Sequence, residues 1–397
     1  MSQDSGLVCK HYPRLDSVPS EDLARLFPAV SDTPYMIPLV QRSGFEGFNL
    51  RSIVVFKEER PVLFLPLFEA RFNLSTFLDE GWFKKILKIA SHLLPPLFNP
   101  RVLGIGFIEG EWSEIGIDAH MDGEALDDAW DLALKALETL ADELKSDLVA
   151  FNNFNPMSGK VLPMGKLKAY TQVPSLPCAL LPVPYQGLKD YINHLSRNAR
   201  KNLHRKMREA NDVRIIRTRN PRPFLDKIYH FYQKTAEQSE ITFGVHRRLY
   251  FKKICDVVPG AEYVLYFVRE KLIAFNLLIV KPEVLVDKYF GMDFFWGRKH
   301  NLYFVSWLEN VRYCIENKIP LYHAGQAAEK TKAHLGAYFI PSAIIFKHRR
   351  PVIHRLLAMM KKYLSYHSPV NVPQARLGKA WRPELDPAFS KKSTNVK

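Results

Sequence analysis

A chain of 397 residues with 47% hydrophobic and 12% aromatic content has the make-up of a globular protein of two or three domains, which excludes a disordered or fibrous chain. Its four cysteines, Cys9, Cys178, Cys255 and Cys314, lie far apart without metal-ligand spacing, so no disulfide framework and no metal site are expected, and a reducing cytoplasm is the default. The net charge of +15 is unevenly divided: residues 1–170 carry 17 Lys/Arg against 24 Asp/Glu (−7), residues 171–397 carry 39 against 17 (+22). The second half is therefore expected to meet something anionic: a nucleotide cofactor, an acyl carrier protein, transfer RNA or a lipid surface. The first residues lack the charged-then-apolar pattern of an export signal. No apolar run approaches the roughly 20 residues that span a bilayer. A soluble protein with no integral membrane segment is expected.

In chain order, a short helix is predicted at 20–27. Strands at 50–56 and 61–68 form a hairpin around Lys57-Glu58-Glu59-Arg60. A helix at 79–94 stops at Pro95-Pro96. Strands at 102–107 and 113–117 precede a long helix over 123–145, with Leu126, Trp130, Leu134, Leu137 and Leu140 inward. A strand at 148–151 completes one α/β unit.

The boundary falls in the Pro/Gly-rich stretch 156–184. Thereafter the pattern predicts a strand at 170–181, a helix at 187–210, a strand at 213–216, a helix at 223–240 and a hairpin of 261–268 with 272–280. The stretch 284–346 organises the second half. It holds an apolar strand to Asp293, a basic turn Trp296-Gly297-Arg298-Lys299-His300-Asn301, a helix ending near Asn317-Lys318, a strand at 319–322, and a short helix between Gly325 and Gly336. The repeated order of elements implies a duplicated fold, divided as 1–165, 166–350 and a tail of 351–397. A basic amphipathic helix at 347–366 leads into that tail and is capable of peripheral membrane contact.

Two basic features could hold an anion. On the 187–210 helix, Arg197, Arg200, Lys201, His204, Arg205 and Arg208 share one side, with Leu188, Ile192, Leu195, Ala199 and Leu203 opposite; Lys206 alone points towards the apolar side. Arg298-Lys299 opens a helix, where free amide hydrogens favour phosphate. Either group could instead be a solvated face. Glu329, Lys332 and His334 could face one cleft or form a surface ion pair. Asp293 could meet a substrate or cap the following turn. The sequence has no Gly-x-Ser-x-Gly, His-Glu-x-x-His or Cys-x-x-Cys motif, which argues against an α/β-hydrolase and a zinc enzyme.

The segment Leu195-Ser196-Arg197-Asn198-Ala199-Arg200-Lys201-Asn202-Leu203-His204-Arg205-Lys206 resembles the Arg/Lys-rich helix of the FemAB-like N-acyltransferases of the GNAT superfamily. Lys288-Tyr289-Phe290-Gly291-Met292-Asp293, Ala324-Gly325-Gln326 through Lys332, Leu335-Gly336 and Phe346-Lys347-His348-Arg349-Arg350-Pro351 extend the resemblance. It implies an α/β (α+β) fold of two tandem GNAT-like domains, each a mixed sheet flanked by helices. It also implies transfer of an acyl group from a coenzyme A or acyl carrier protein thioester to a small amine, or of an aminoacyl group from transfer RNA. A non-catalytic module binding RNA or membrane is the third reading. In such a fold the strand before the long helix splays from its neighbour, and its amide polarises the acyl carbonyl. Those residues would be Tyr289 to Asp293, with Arg298, Lys299, Gln326, Arg200 and Lys201 on the donor. Counting back four from Gly336, where many GNATs carry a tyrosine, gives Lys332, placed to stabilise developing negative charge. Asp293, Glu329 or His334 would take the amine's proton.

Overall fold

The computed structural model describes residues 6–72, 99–110, 112–155, 162–208, 210, 212–238 and 244–372; the helix expected at 79–94 lies outside them. In chain order the elements are β1 (Leu7–Tyr12), α1 (Ser20–Leu26), α2 (Thr33–Ser43), β2 (Phe45–Glu46), β3 (Asn49–Lys57), β4 (Arg60–Arg71), β5 (Arg101–Ile105), β6 (Gly116–Ile117), α3 (Gly123–Glu143), β7 (Leu148–Phe154) and β8 (Thr171–Pro182). There follow α4 (Leu188–His194), α5 (Arg197–Arg208), β9 (Val213–Thr218), α6 (Leu225–Gln238), β10 (Val245–His246), α7 (Arg248–Val257), β11 (Ala261–Val268) and β12 (Lys271–Val280). The last are β13 (Leu285–Met292), α8 (Phe294–Lys299), α9 (Leu302–Glu316), β14 (Leu321–Gly325), α10 (Glu329–His334), β15 (Tyr338–His348), α11 (Pro351–Met359) and α12 (Lys361–Leu364).

These elements divide into two units: residues 1–29, 49–177 and 340–397 in one, and residues 30–48 and 178–339 in the other. In the first unit the strands run β1-β3-β4-β5-β7-β15. Every neighbouring pair is antiparallel except β5 with β7, which are parallel. The parallel pair needs a long crossover, and α3 lies within it. One face of α3 (Ala129, Trp130, Ala133, Leu137, Leu140) packs on Ile53, Val55, Leu63 and Leu65. The β3–β4 hairpin closes through Glu58 and Glu59, both left-handed (φ 49° and 65°), the turn whose twist matches the strands.

The second unit repeats this scheme. Its order β9-β11-β12-β13-β14-β8 is again antiparallel throughout except for one parallel pair, β13 with β14. That crossover carries α8 and α9. The duplicated α/β fold expected from the order of elements is therefore present, with one twist. The sixth strand of the first unit is β15, which follows β14 in the chain, while that of the second is β8, which follows β7.

Three expectations need correction. The single helix at 187–210 is two helices, because Leu195 is extended (ψ 155°) and the Ser196 hydroxyl accepts from the Ala199 amide. The basic turn at 296–301 belongs mostly to α8, whose start is fixed by Asp293. The tail helix at 347–366 is α11 and α12, beginning only at Pro351, since 347–348 complete β15. Helices α2 and α7 and strands β1 and β15 were not predicted.

Candidate active site

Strand β13 carries the irregularity that shapes the site. Leu277 pairs with Tyr289 and Leu278 with Asp287, so Lys288 is an extra residue in a β-bulge. A bulge reverses the alternation of side chains beyond it, so Asp287 and Tyr289 face opposite sides of the sheet. On its other edge β13 pairs with β14 only at Leu285↔Tyr322 and Val286↔His323, although β13 continues to Met292 and β14 to Gly325. The two strands part just where Asp287 stands. This splay before the long helix is the feature implied by the sequence resemblance.

Asp287 is the centre of a polar network drawn from β12, β14 and α9. Asn276 Nδ2 of β12 donates to Asp287 Oδ1 at 2.6 Å. Tyr322 of β14 donates to Oδ2 at 2.7 Å, and Asn310 Nδ2 of α9 reaches the same oxygen at 3.3 Å. Ser306 Oγ and Asn310 Nδ2 also donate to Asn276 Oδ1, at 3.2 and 3.0 Å. Spacing along α9 puts Ser306 and Asn310 one turn apart on the face that meets the sheet. Burial raises the Asp287 carboxyl above its ordinary range, while the Tyr322 and Asn276 hydrogen bonds and the Lys332 charge act against that rise. The Tyr303 hydroxyl and the Asn310 Oδ1 are buried without a hydrogen-bond partner, and burial, then the Asp287 charge, push the Tyr303 phenol up. The network therefore keeps unused hydrogen-bonding capacity beside a buried carboxylate.

Beyond β14 the backbone is strained. Gly325, Ala327 and Ala328 are all left-handed (φ 70°, 60° and 51°), a conformation that costs an alanine about 1–2 kcal/mol. Lys332 holds this loop: its buried Nζ donates to the carbonyls of Ala324 (2.6 Å), Gly325 (3.0 Å) and Gln326 (2.6 Å). The loop brings Gln326, Glu329 and Lys332 together, with Glu329 also buried.

On the opposite face of the sheet Tyr289 packs edge-on against Tyr232 and His246, with centroids 5.2 and 5.7 Å away. His323 of β14 is buried 3.1 Å from the Cys178 sulfur. Burial, with the charges of Lys288 and Lys332, pushes its imidazole down to about 3.

The basic groups gather at the start of α9. The inner residues of α5, Ala199 and Leu203, are buried, leaving Arg197, Lys201, Arg205 and Arg208 exposed. Lys206, the residue that broke the pattern, lies over the Phe304 ring at 3.8 Å and donates to Asn301 Oδ1 at 3.4 Å. Asn301 thus ties α5 to the junction of α8 and α9. On α8, Arg298 and Lys299 are exposed, and Lys299 sits 5.0 Å from the Trp296 ring. Asp293 accepts from the Phe295 and Trp296 amides and pairs with Lys271 at 3.5 Å. Arg200 donates to the Asn193 carbonyl at 2.7 Å, and Lys201 is exposed.

Of the residues singled out from sequence, Gln326 lies in the loop that leads into α10, which carries Glu329 and Lys332, while Asp293 caps α8, which carries Arg298 and Lys299. Asp293 is occupied as a helix cap and Lys332 as a clamp on carbonyls. Sequence reasoning missed Asp287, Asn276, Asn310 and Tyr322. The clearest signal was Asn276, a single amide inside the apolar run 272–280, which must be paired when buried.

Residues 180–369 match the family model FemAB-like, described as peptidoglycan biosynthesis/recognition. Solved structures similar in fold include a tandem GNAT protein from the clavulanic acid biosynthesis pathway (12% identity, 87% of this chain and 99% of that one, TM-score 0.49). Others are L-PGS from Bacillus licheniformis (11%, 83% and 96%, 0.46) and FemX (11%, 82% and 93%, 0.45). No curated protein matches by sequence. The match to the FemAB-like model over residues 180–369 agrees with the FemAB-like resemblance read from the sequence.

Proposed function

We propose that the second unit transfers an acyl or aminoacyl group to an amine, with the reaction at the parting of β13 and β14. The acceptor amine attacks the carbonyl of an activated ester or thioester, and the C–O or C–S bond then breaks, releasing the transfer RNA hydroxyl or the thiol, which takes up a proton as the amide forms. Asp287, raised by burial, takes the proton that the amine loses. The open edge of β13 beyond Val286 offers backbone N–H groups to the carbonyl oxygen as it becomes anionic. Lys332 fixes the loop that borders the gap, and Gln326 and Glu329 line that loop.

The donor we favour is aminoacyl-transfer RNA, and one observation carries this. The exposed cations do not end at the start of α9 but continue along α5 from Arg208 to Arg197. Twelve helical residues span about 18 Å, several phosphates' length rather than one pyrophosphate. Exposed Phe295 beside Trp296 on α8 adds an aromatic surface of the kind that stacks bases. The second reading, a coenzyme A or carrier-protein thioester, needs only Arg298, Lys299 and Lys206 at the helix junction. In either case Arg200 and Lys201 belong to the donor surface.

The test is a transfer assay with labelled aminoacyl-transfer RNA and, separately, labelled acyl-CoA, each with a mixture of small amines and each with Asp287→Asn as control. Amide formed from the transfer RNA donor and abolished by Asp287→Asn is the expected result. Amide formed from acyl-CoA alone moves the assignment to the second reading. No amide from either, with transfer RNA still bound, leaves a binding module and ends the enzyme proposal.

A further inference from the structure

We propose that α11 and α12 dock the protein on an anionic lipid bilayer through the outward face of the helices, independently of the transferase reading. These helices are apolar on two sides. Inward, Leu357, Ile353 and Leu364 pack on Val102, Leu148, Ala150, Val173 and Phe346 of the first unit, which fixes how the helices lie. Outward, Val352 is 78% exposed, Leu356 41% and Met359 75%, with Tyr363 continuing the line at 51%. At 3.6 residues per turn Val352, Leu356 and Met359 of α11 fall within an arc of roughly 60°, and exposed Tyr363 lies on α12, which follows it. Apolar side chains on a soluble surface are usually scattered; a line of them on one helix face marks a contact surface.

The charges around the line identify the contact. Arg350, Arg355, Lys361 and Lys362 are all exposed, and the sequence has no acidic residue between Glu329 and Glu384. Arg349 is turned inward instead, onto Glu138 and Asp142, so the helix start is anchored while the other cations stay outside. A second copy of the chain would bring the same four cations against these four and be repelled. An anionic leaflet accepts both parts: apolar side chains enter the acyl boundary and the Lys/Arg groups remain among the phosphates. The apolar area is small and the helices are short, so the contact is reversible and strongly salt-dependent.

The experiment uses the full chain and sedimentation with vesicles of phosphatidylcholine alone or with about 30 mol% phosphatidylglycerol, a composition with an anionic surface. Binding to the mixed vesicles is expected, with little to the neutral ones. Val352→Asp with Met359→Asp should weaken it at least about ten-fold, a loss of roughly 1.4 kcal/mol. Because both side chains are solvent-facing, the unfolding midpoint should not move. Arg355→Glu with Lys362→Glu should weaken binding too and remove part of its salt dependence. Equal binding by the Asp pair and the unaltered chain would overturn the proposal and move the contact to the α5 surface. Absence of binding by the unaltered chain would also overturn it, as would a dimer that the Asp pair converts to monomer.

Discussion

Replacing Lys332 by Met removes an ammonium while keeping most of its buried volume, and so isolates the three hydrogen bonds to Ala324, Gly325 and Gln326. The Ala324 and Gly325 bonds are buried, whereas the Gln326 one is partly open to solvent, which can replace the lost donor there. A buried carbonyl deprived of its donor costs about 1–3 kcal/mol, giving about 2–6 kcal/mol for the two. Burying the ammonium itself carries a penalty of several kcal/mol that the variant no longer bears, so a net loss of about 2–4 kcal/mol is expected. The left-handed Ala327 and Ala328 should then relax, because the clamp on the three preceding carbonyls is lost. Denaturant titration measures the first consequence and amide hydrogen exchange over residues 324–337 the second. Lys332→Arg, which keeps the charge and donors, should recover part of both. A stability change below about 0.5 kcal/mol with unaltered exchange would refute the clamp, leaving Lys332 available to the donor.

The carboxylate network makes a kinetic prediction. Asp287 must be ionised to accept a proton, and its carboxyl is raised, so activity should fall on acidification at a pH above the ordinary carboxylate range. Tyr322→Phe removes a donor that favours the ionised form, and should move this limb to still higher pH; an unmoved limb would remove Asp287 as the base. Asp287→Asn should lower turnover about 10²–10⁴-fold, as loss of a general base does, and a near-normal rate would be decisive against it. His323 gives a stability prediction. Its folded pKa of about 3 lies below the unfolded value, so its contribution is complete above about pH 6.5 and is lost as pH falls towards 3, by up to about 1.4 kcal/mol per pH unit. The difference between the unaltered chain and His323→Gln, followed by denaturation across that window, should show the slope; parallel curves would show that His323 is not held neutral. On α5, Lys201→Glu with Arg205→Glu should weaken transfer RNA binding and flatten its dependence on salt by roughly 0.7–0.9 per lost phosphate contact in the log–log slope. An unchanged slope would place the nucleic acid elsewhere.

How far the sequence could be read depended on whether its periodicity survived. The β3–β4 hairpin, α3, the β11–β12 hairpin and α9 follow regular hydrophobic repeats, and each lies within a few residues of its predicted bounds. Lys206 shows the same rule at one side chain. It fell on the apolar side of a helical projection, and the fold places it on an aromatic ring of α9. Short or interrupted patterns failed. Residues 187–210 keep helical spacing across Leu195-Ser196, yet the serine side chain satisfies the amide that begins a new helix, a local competition that spacing does not register. Strand β15 reads as apolar and could equally be a buried helix segment, because periodicity alone cannot separate the two.

The candidate site now centred on Asp287 was not picked out from the sequence, and the bulge at Lys288 explains why. With strict alternation, Asp287 and Tyr289 share a face and Lys288 opposes both, so Asp287 looks like one more polar residue at a strand's solvent side. One inserted residue turns Tyr289 away into the aromatic cluster with Tyr232 and His246 and leaves Asp287 against α9. There Asn276, Asn310 and Tyr322 meet it from sequence distances of 11, 23 and 35 residues. Asn276 is a lone polar group in an apolar stretch, Asn310 stands beside Glu309 and Tyr322 beside His323, and each by itself has a bland reading. Their convergence becomes visible only when a register shift and a parting of strands put them at one point. A search for such sites should therefore start from unpaired polar residues inside apolar segments on either side of a parallel crossover, before considering the more conspicuous charged turns. By that criterion Asp287 precedes Asp293, whose carboxylate the helix start of α8 already uses.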